Sequence, residues 1–178
     1  MNSYFYIIIV LLLAVFALGL LIYVSGTTKL KKFKEKMDTA ESIIDENLNK
    51  KLELIITINA SIKKVTGKKD YLKDYISIKD LIITNIEKDM KLEEAMKLIN
   101  DLVMDFSELN KDNEFCKNIK KLREIDELLI SAKNVFNQNA VFSNKFMKTF
   151  PYSLISKISG YRIRSFYSNN KTDESETF

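Results

Sequence analysis

The sequence predicts an all-α protein in which an N-terminal transmembrane helix continues into an elongated antiparallel three- to four-helix bundle, followed by a short C-terminal helix. The chain of 178 residues has only four glycines and one proline, a composition that favours long helices with few tight turns. Apolar residues recur at every third or fourth position over long stretches, as in helices with one buried face. Residues 4–24 contain no charged residue.

Residues 4–24 form the predicted transmembrane helix. At about 1.5 Å per residue they reach roughly 30 Å, the thickness of the hydrocarbon core of a bilayer. Tyr4 and Tyr6 at one end and Tyr23 at the other suit the aromatic belts of the two membrane interfaces. A cleaved signal peptide is the alternative, but the run is long and no basic residue precedes it. The lipid bilayer is therefore the first expected partner.

Residues 25–36 form a basic juxtamembrane segment. Five lysines and one glutamate lie within residues 29–36, where they carry the whole net charge of +4. Because the excess charge is confined to this segment, we expect no nucleic-acid partner. The positive-inside rule places residues 1–3 outside the cell membrane and the main domain in the cytoplasm. Anionic lipid headgroups should attract the lysines nearest the membrane, which are Lys29, Lys31, Lys32 and Lys34.

The predicted bundle domain covers residues 37–167. Its first helix continues from the transmembrane helix, because the apolar stripe from Phe33 to Val65 is not interrupted. A turn at residues 66–70 ends the stripe. The tail at residues 168–178 has no apolar period and is predicted to be disordered.

The next segment, residues 77–109, is predicted to be either one bent helix or two helices. Ser77 and Asp80 resemble a capping box with Asp in place of Glu. The apolar stripe then changes phase near residues 89–91, which predicts a kink or a short break there.

The last long helix is predicted from the apolar stripe between Phe115 and Phe150, which includes Phe136. Pro151 ends it and opens a short helix that reaches Ile158. Lys133 lies off this stripe and is expected at the surface.

The residue types argue against an enzyme. There is no histidine, so the commonest metal ligand and the usual general base near neutral pH are missing. The carboxylates alternate with lysines three or four residues away, as in Glu46 with Lys50, which is typical of a solvated surface. Cys116 has no histidine to activate it. We therefore predict no catalytic, cofactor-binding or metal site, and the carboxylates considered for one are Asp45, Glu46, Glu93, Glu94, Glu124, Asp126 and Glu127.

Aromatic and asparagine residues crowd the segment from Phe136 to Tyr152. They form either a packed core whose amides bond to a neighbouring helix, or a docking surface for a protein partner. Binding energy concentrates in a few aromatic anchors, and in the second case the candidate docking residues are Phe142 and Tyr152.

Several segments resemble the LemA family in their order along the chain. The matching C-terminal segments are Leu109–Phe115, Ser131–Lys133, Val135–Asn137, Asn144, Thr149–Pro151, Gly160–Tyr161 and Phe166–Tyr167. The matching long-helix residues are Ile44, Asp45, Leu48, Lys50, Lys51 and Glu53–Ile55. The chain departs from the family at Ile56-Thr57, where Pro-Asn is usual, and at Lys133, where arginine is usual.

The resemblance implies a single-pass membrane protein with a long antiparallel helical domain and no established enzymatic activity. The expected function is a membrane-tethered scaffold or interaction protein whose protein partner is not identified by the sequence. The alternative is an accessory subunit or partner of a membrane enzyme, such as a membrane protease.

Overall fold

A computed structural model describes residues 3–67 and 69–167, with side chains from residue 4 onward. The helices are α1 (Ser3–Val65), α2 (Lys73–Ile76), α3 (Asn85–Asp105), α4 (Asn113–Lys148) and α5 (Tyr152–Ile158), with 3₁₀ helices at Ser77–Asp80 and Ser107–Lys111. These described ranges contain no strand. The all-α class, the long apolar N-terminal helix and the short C-terminal helix are confirmed. The predicted tail at 168–178, and residues 1 and 2 of the expected extracytoplasmic N-terminus, lie outside the described residues.

Helix α1 is a single uninterrupted helix of 63 residues, as the unbroken apolar stripe predicts. The stripe from Met37 to Ile62 is buried, so this face packs against the rest of the domain. The helix ends before Gly67, whose φ of 76° is readily adopted only by a residue without a Cβ.

Helix α3 begins at a different place from the one that the sequence suggested. Its capping box is formed by Thr84 and Glu87: Thr84 Oγ1 accepts a hydrogen bond from the Glu87 amide, and the Thr84 amide donates to the Glu87 carboxylate at 2.9 Å. Ser77 instead opens a 3₁₀ helix and donates its hydroxyl to the carbonyl of Asp74.

Of the predicted kink or short break at residues 89–91, the break is wrong, since α3 passes through them without interruption. Residues 77–109 are thus neither one bent helix nor two α-helices, but a 3₁₀ helix, a single α-helix and the start of a second 3₁₀ helix. The apolar stripe changes phase in the sequence because Asp89, a charged residue, occupies a buried position one turn before Leu92.

The described residues divide into two compact units. The terminal unit comprises residues 3–39 and 135–166, and the central unit comprises residues 40–134 and Tyr167.

In the central unit, α1, α3 and α4 share one apolar core. Its fully buried members include Ile44, Leu48, Ile55, Leu92, Ile99, Leu122 and Leu129. The short connection between α3 and α4 reverses the chain, so α4 is antiparallel to α3. Lys88 of α3 donates to Asn49 of α1, and Tyr71 beyond the end of α1 contacts Phe106 beyond the end of α3. Helix α3 therefore runs in the same direction as α1.

In the terminal unit, the first part of α1 packs against the last part of α4 and against α5. Phe136, on the predicted stripe of α4, is 3% exposed, as expected for a core aromatic. Phe150, which the sequence also placed on that stripe, is 77% exposed, because α4 ends at Lys148 and the chain turns there. Helix α5 begins after Pro151 and ends before Gly160, which has a φ of 72°.

Candidate membrane interface

The apolar part of α1 is exposed along nearly its whole length. Of the helices described, only α1 is long and apolar enough to cross a membrane, judged by length and composition. The side chains of residues 4–21 are all exposed. Tyr4, Tyr6 and Tyr23 are 77%, 54% and 40% exposed. These tyrosines lie where the aromatic belts of a membrane helix would lie.

The lysines that follow are exposed as well. Lys31 and Glu35 form an exposed pair with 3.8 Å between Nζ and Oε1. Lys29 lies 5.6 Å from the centroid of the Phe146 ring, within the range of a cation–π contact. Lys32 and Lys34 are exposed to solvent.

Helix α5 packs on α1 at Gly26, two residues beyond the apolar stretch of residues 4–24. A Cβ at Gly26 would lie 2.9 Å from Tyr152 Cδ1 and 3.0 Å from Ile155 Cδ1. The approach is therefore possible because this residue has no side chain. The Tyr152 ring stacks on Phe146 with a centroid separation of 4.0 Å, and Phe146 meets Phe33 edge-on at 6.3 Å.

The two candidate docking residues differ in environment. Phe142 is 58% exposed on α4. Tyr152 is half-buried, with its ring committed to the contact with Phe146. Within the same segment, Phe136 and Asn144 are buried. The segment thus supplies core residues and also presents two exposed aromatic rings, those of Phe142 and Phe150.

Asn144 holds the chain that follows α5. Its Nδ2 donates to the carbonyl of Arg164 at 2.9 Å, and its Oδ1 accepts from the Arg164 amide at 3.0 Å. The Arg164 guanidinium lies 3.6 Å from the carboxylate of Asp38 on α1. One buried amide therefore fixes a segment without regular secondary structure alongside α4.

The fold places a second set of basic residues in the same unit as the lysine cluster of residues 29–36. Residues 135–166 contain no acidic residue. Their basic residues are Lys145, Lys148, Lys157, Arg162 and Arg164. Since Phe146 contacts Phe33 and α5 contacts Gly26, the terminal unit combines both basic segments. Sequence order alone separates the two segments by about a hundred residues and conceals this concentration of positive charge.

The central unit contains a charged cluster whose carboxylates the sequence pattern assigned to a solvated surface. Lys51 is 0% exposed, and its Nζ lies 2.7 Å from Glu93 Oε1 and 2.6 Å from Asp126 Oδ1. Burial acts to lower the pKa of Lys51, but attraction to Asp126 and Glu93 outweighs it and the pKa is raised. Burial raises the pKa of Asp126 despite the nearby Lys51.

A second buried pair joins α3 to α4. Lys133 Nζ lies 2.7 Å from Asp89 Oδ1, and the two side chains are 7% and 6% exposed. The expectation that Lys133 lies at the surface is therefore wrong. The Lys133 ammonium is paired with a carboxylate on a different helix instead of with water. This partner cannot be identified from the residues next to Lys133 in the sequence.

The burial of Lys51 and Lys133 could have been predicted from their helical spacing. Lys51 follows Leu48 by three residues and precedes Ile55 by four, while Lys133 follows Leu129 by four and precedes Phe136 by three. Both lysines thus fall on stripes whose apolar members are buried.

The remaining carboxylates that were considered for chemistry do lie at the surface: Asp45, Glu46, Glu94, Glu124 and Glu127 are exposed. The hydrogen bond from Lys50, 2.5 Å from Glu46, holds the pKa of Glu46 below its usual value. The part of the chain that the structure describes has no group of three or more His, Cys, Asp or Glu side chains able to hold a metal ion. Cys116 is half-buried and donates to the carbonyl of Asn110 at 3.3 Å.

Comparison of the chain with protein-family models finds no match, and the comparisons with curated proteins and with solved structures find none either.

Proposed function

We propose that this protein is a single-pass, membrane-anchored helical scaffold or interaction protein of the LemA type, with no catalysis of its own. The observation that carries the proposal is the continuity of α1. The same helix begins with an exposed, uncharged stretch of membrane-spanning length and continues as the buried first helix of the bundle. A bundle built on such a helix is held at a membrane without a flexible linker.

The basic terminal unit supports an orientation with the N-terminus outside and the main domain in the cytoplasm. Lysine or arginine close to the end of a membrane helix marks the cytoplasmic side. Each exposed lysine near an anionic surface contributes about 1 kcal/mol of attraction. The exposed side chains of Lys29, Lys31, Lys32 and Lys34 are suited to that contact.

The LemA resemblance supports an architecture more than a chemistry. Two residues that carry it, Lys51 and Asn144, are buried and bonded inside the protein. Lys133, which stands where the family usually has arginine, is also buried and paired. Such residues hold helices in register, and their own polar groups are not free to meet a substrate. The proposed scaffold role is consistent with this internal use of the motif residues.

A protein partner would contact an exposed part of the bundle, and Phe142 is the candidate anchor. The test is to replace Phe142 with a photocrosslinking phenylalanine analogue in the full chain, and to irradiate intact membranes. The matched control places the same analogue at Leu128, which is also exposed on α4, at 55%. We expect one protein to be captured from position 142 and not from position 128. Capture of a membrane protease would favour the accessory-subunit role.

An enzyme would respond to different substitutions. Glu94→Gln and Glu124→Gln remove exposed carboxylates without disturbing the buried pairs. We expect both variants to retain function in cells and partner capture at position 142. Loss of function with partner capture intact would show that carboxylate chemistry is required, and would overturn the scaffold proposal.

A further inference from the structure

Helix α5 carries an apolar face that nothing in the described structure covers, and the residue before its proline, Phe150, is exposed too. Leu154 and Ile158 lie four residues apart in α5, so they share one side. They are 54% and 76% exposed, and Phe150, in the turn before Pro151, is 77% exposed. The opposite side is occupied, since Tyr152 and Ile155 pack against α1 at Gly26. A helix of seven residues that buries one apolar side and exposes another needs a second apolar neighbour.

The position of α5 identifies that neighbour. Gly26 lies two residues, or about 3 Å of helix rise, beyond Val24 at the end of the apolar stretch and three residues before Lys29, the first charged residue. A helix packed at this level lies where the hydrocarbon core meets the headgroups. There an amphipathic helix buries its apolar side about 5–10 Å into the boundary between headgroups and acyl chains.

The charges around α5 fit the same surface. Lys148 precedes the exposed apolar face and Lys157 lies within it, and both are exposed. Lys29 lies nearby, against the Phe146 ring on which Tyr152 stacks. Residues 135–166 have no acidic residue, so nothing in this segment repels an anionic headgroup. Lysines beside an apolar face suit a lipid interface, where the stem lies in the apolar layer and the ammonium reaches the phosphates.

We infer that α5 is a second membrane contact, in which Phe150, Leu154 and Ile158 insert into the interfacial layer of the same bilayer that α1 spans, while Lys148 and Lys157 bind lipid phosphates. The inference rests on the proposed membrane anchor. It makes the terminal unit a two-point attachment, because Gly26 holds α5 against α1 at the membrane surface.

Single tryptophans can test this contact, because the chain contains no tryptophan. The variants Leu154→Trp and Ile158→Trp report on α5. Phe16→Trp, in the middle of the uncharged stretch and 66% exposed, reports on the anchor itself. Phe142→Trp is the matched control outside the lipid: it is exposed on α4, one helical turn before the Phe146 that contacts Phe33. Phe33 is nine residues, or about 14 Å of helix rise, beyond Val24.

Each full-length variant is reconstituted in vesicles of phosphatidylcholine and phosphatidylglycerol, with acyl chains brominated near the headgroup, brominated near mid-chain, or left unbrominated. Bromine near the headgroup should quench most of the emission of Leu154→Trp and Ile158→Trp, and mid-chain bromine should quench them less. Phe16→Trp should show the reverse order, and Phe142→Trp should keep its emission with either lipid. Circular dichroism checks that each variant is helical, and either α5 variant suffices if the other does not fold.

Two results would overturn the inference, and they are distinguishable from failure of the anchor. If Phe16→Trp is quenched while both α5 variants keep their emission, the chain spans the bilayer and α5 does not touch it. Blue-shifted but unquenched emission from the α5 variants would likewise overturn it, because the face would then be covered by protein. If Phe16→Trp also escapes quenching, the membrane anchor itself fails, and the inference fails with it.

Discussion

Lys133 and Asp89 form an ion pair inside the central unit, with 2.7 Å between Lys133 Nζ and Asp89 Oδ1 and almost no solvent contact for either side chain. The pair joins α4 to α3. A buried charge without its partner is strongly unfavourable. The pair therefore ties the register of the two helices to one particular arrangement.

Removing one partner should destabilise the protein strongly. In Lys133→Met the Asp89 carboxylate stays buried without its cation, and we expect a cost of about 3–5 kcal/mol in the free energy of unfolding. The measurement is urea unfolding of the full chain in mild detergent, followed by circular dichroism. The control is Lys50→Met, which breaks the exposed pair with Glu46 and should cost at most about 1 kcal/mol.

The double variant Lys133→Met with Asp89→Leu distinguishes the cost of an unpaired buried carboxylate from the cost of changed packing. Apolar replacement of both members is often neutral or stabilising, so we expect it to recover most of the stability lost in Lys133→Met. Equal losses for Lys133→Met and Lys50→Met would contradict the buried position of Lys133.

Stability should fall as the pH rises from about 10 to about 12, partly because of Tyr167. Burial, with a smaller contribution from Glu41, raises the pKa of Tyr167 from 10.0 to about 12. Between these values the unfolded chain releases the phenol proton and the folded chain keeps it, so rising pH favours unfolding. The contribution is complete below pH 10 and is lost as the pH approaches 12.

Tyr167→Phe should reduce this alkaline loss, measured as the change in unfolding midpoint with pH. Phe166→Leu, in the same C-terminal segment, is the control, because it alters an aromatic ring without removing a titratable group. Lys51 acts in the same direction, because its pKa is raised above 10.5 in the folded protein. It is present in both variants, so the difference between their slopes isolates Tyr167. Identical slopes for the two variants would count against this account.

Truncation of Phe136 should cost far more than truncation of Phe142. Phe136 is 3% exposed and Phe142 is 58% exposed, so the two variants compare the same chemical change at a buried and an exposed position of α4. We expect about 3–5 kcal/mol for Phe136→Ala and about 0.5 kcal/mol or less for Phe142→Ala. Thermal unfolding followed by circular dichroism measures both. Comparable shifts would mean that the buried side of α4 is assigned incorrectly.

Gly26→Ala should loosen α5. The added Cβ would lie 2.9 Å from the Tyr152 ring, too close for the ring to keep its place. We expect overpacking to cost about 1–3 kcal/mol, seen as faster amide hydrogen exchange in residues 152–160. Gly19→Ala is the control, since no packed neighbour lies within 4 Å of the position that a Cβ would take there. Unchanged exchange in Gly26→Ala would contradict the close contact between α1 and α5.

The orientation can be tested by cysteine labelling in intact cells, with the native thiol removed by Cys116→Ser. A reagent that cannot cross membranes should label Ser3→Cys and leave Ser131→Cys, an exposed position on α4, unlabelled. The physical reason is the position of the lysines at one end of the uncharged stretch. Labelling of Ser131→Cys without Ser3→Cys would reverse the orientation.

Local pattern alone determined the fold class and most of the helices. The long α1, the burial of its stripe, the 36-residue α4 and the short helix after Pro151 all follow from helical periodicity and from the few chain-breaking residues. These features depend on neighbours three or four positions away, which a sequence displays directly.

The tertiary structure decided which charged residues are internal and which apolar residues remain exposed. Sequence pattern predicted a surface position for Lys133 and a kink or break near Asp89. It could not show the ion pair between them, because the two residues are 44 positions apart and lie on different helices. It placed Phe150 in a buried stripe, whereas Phe150 lies in the turn after α4 and is 77% exposed. The physical reason is the same in each case. Periodicity reveals which residues share a face, but only the packed neighbours determine whether that face meets a charge, a core or solvent.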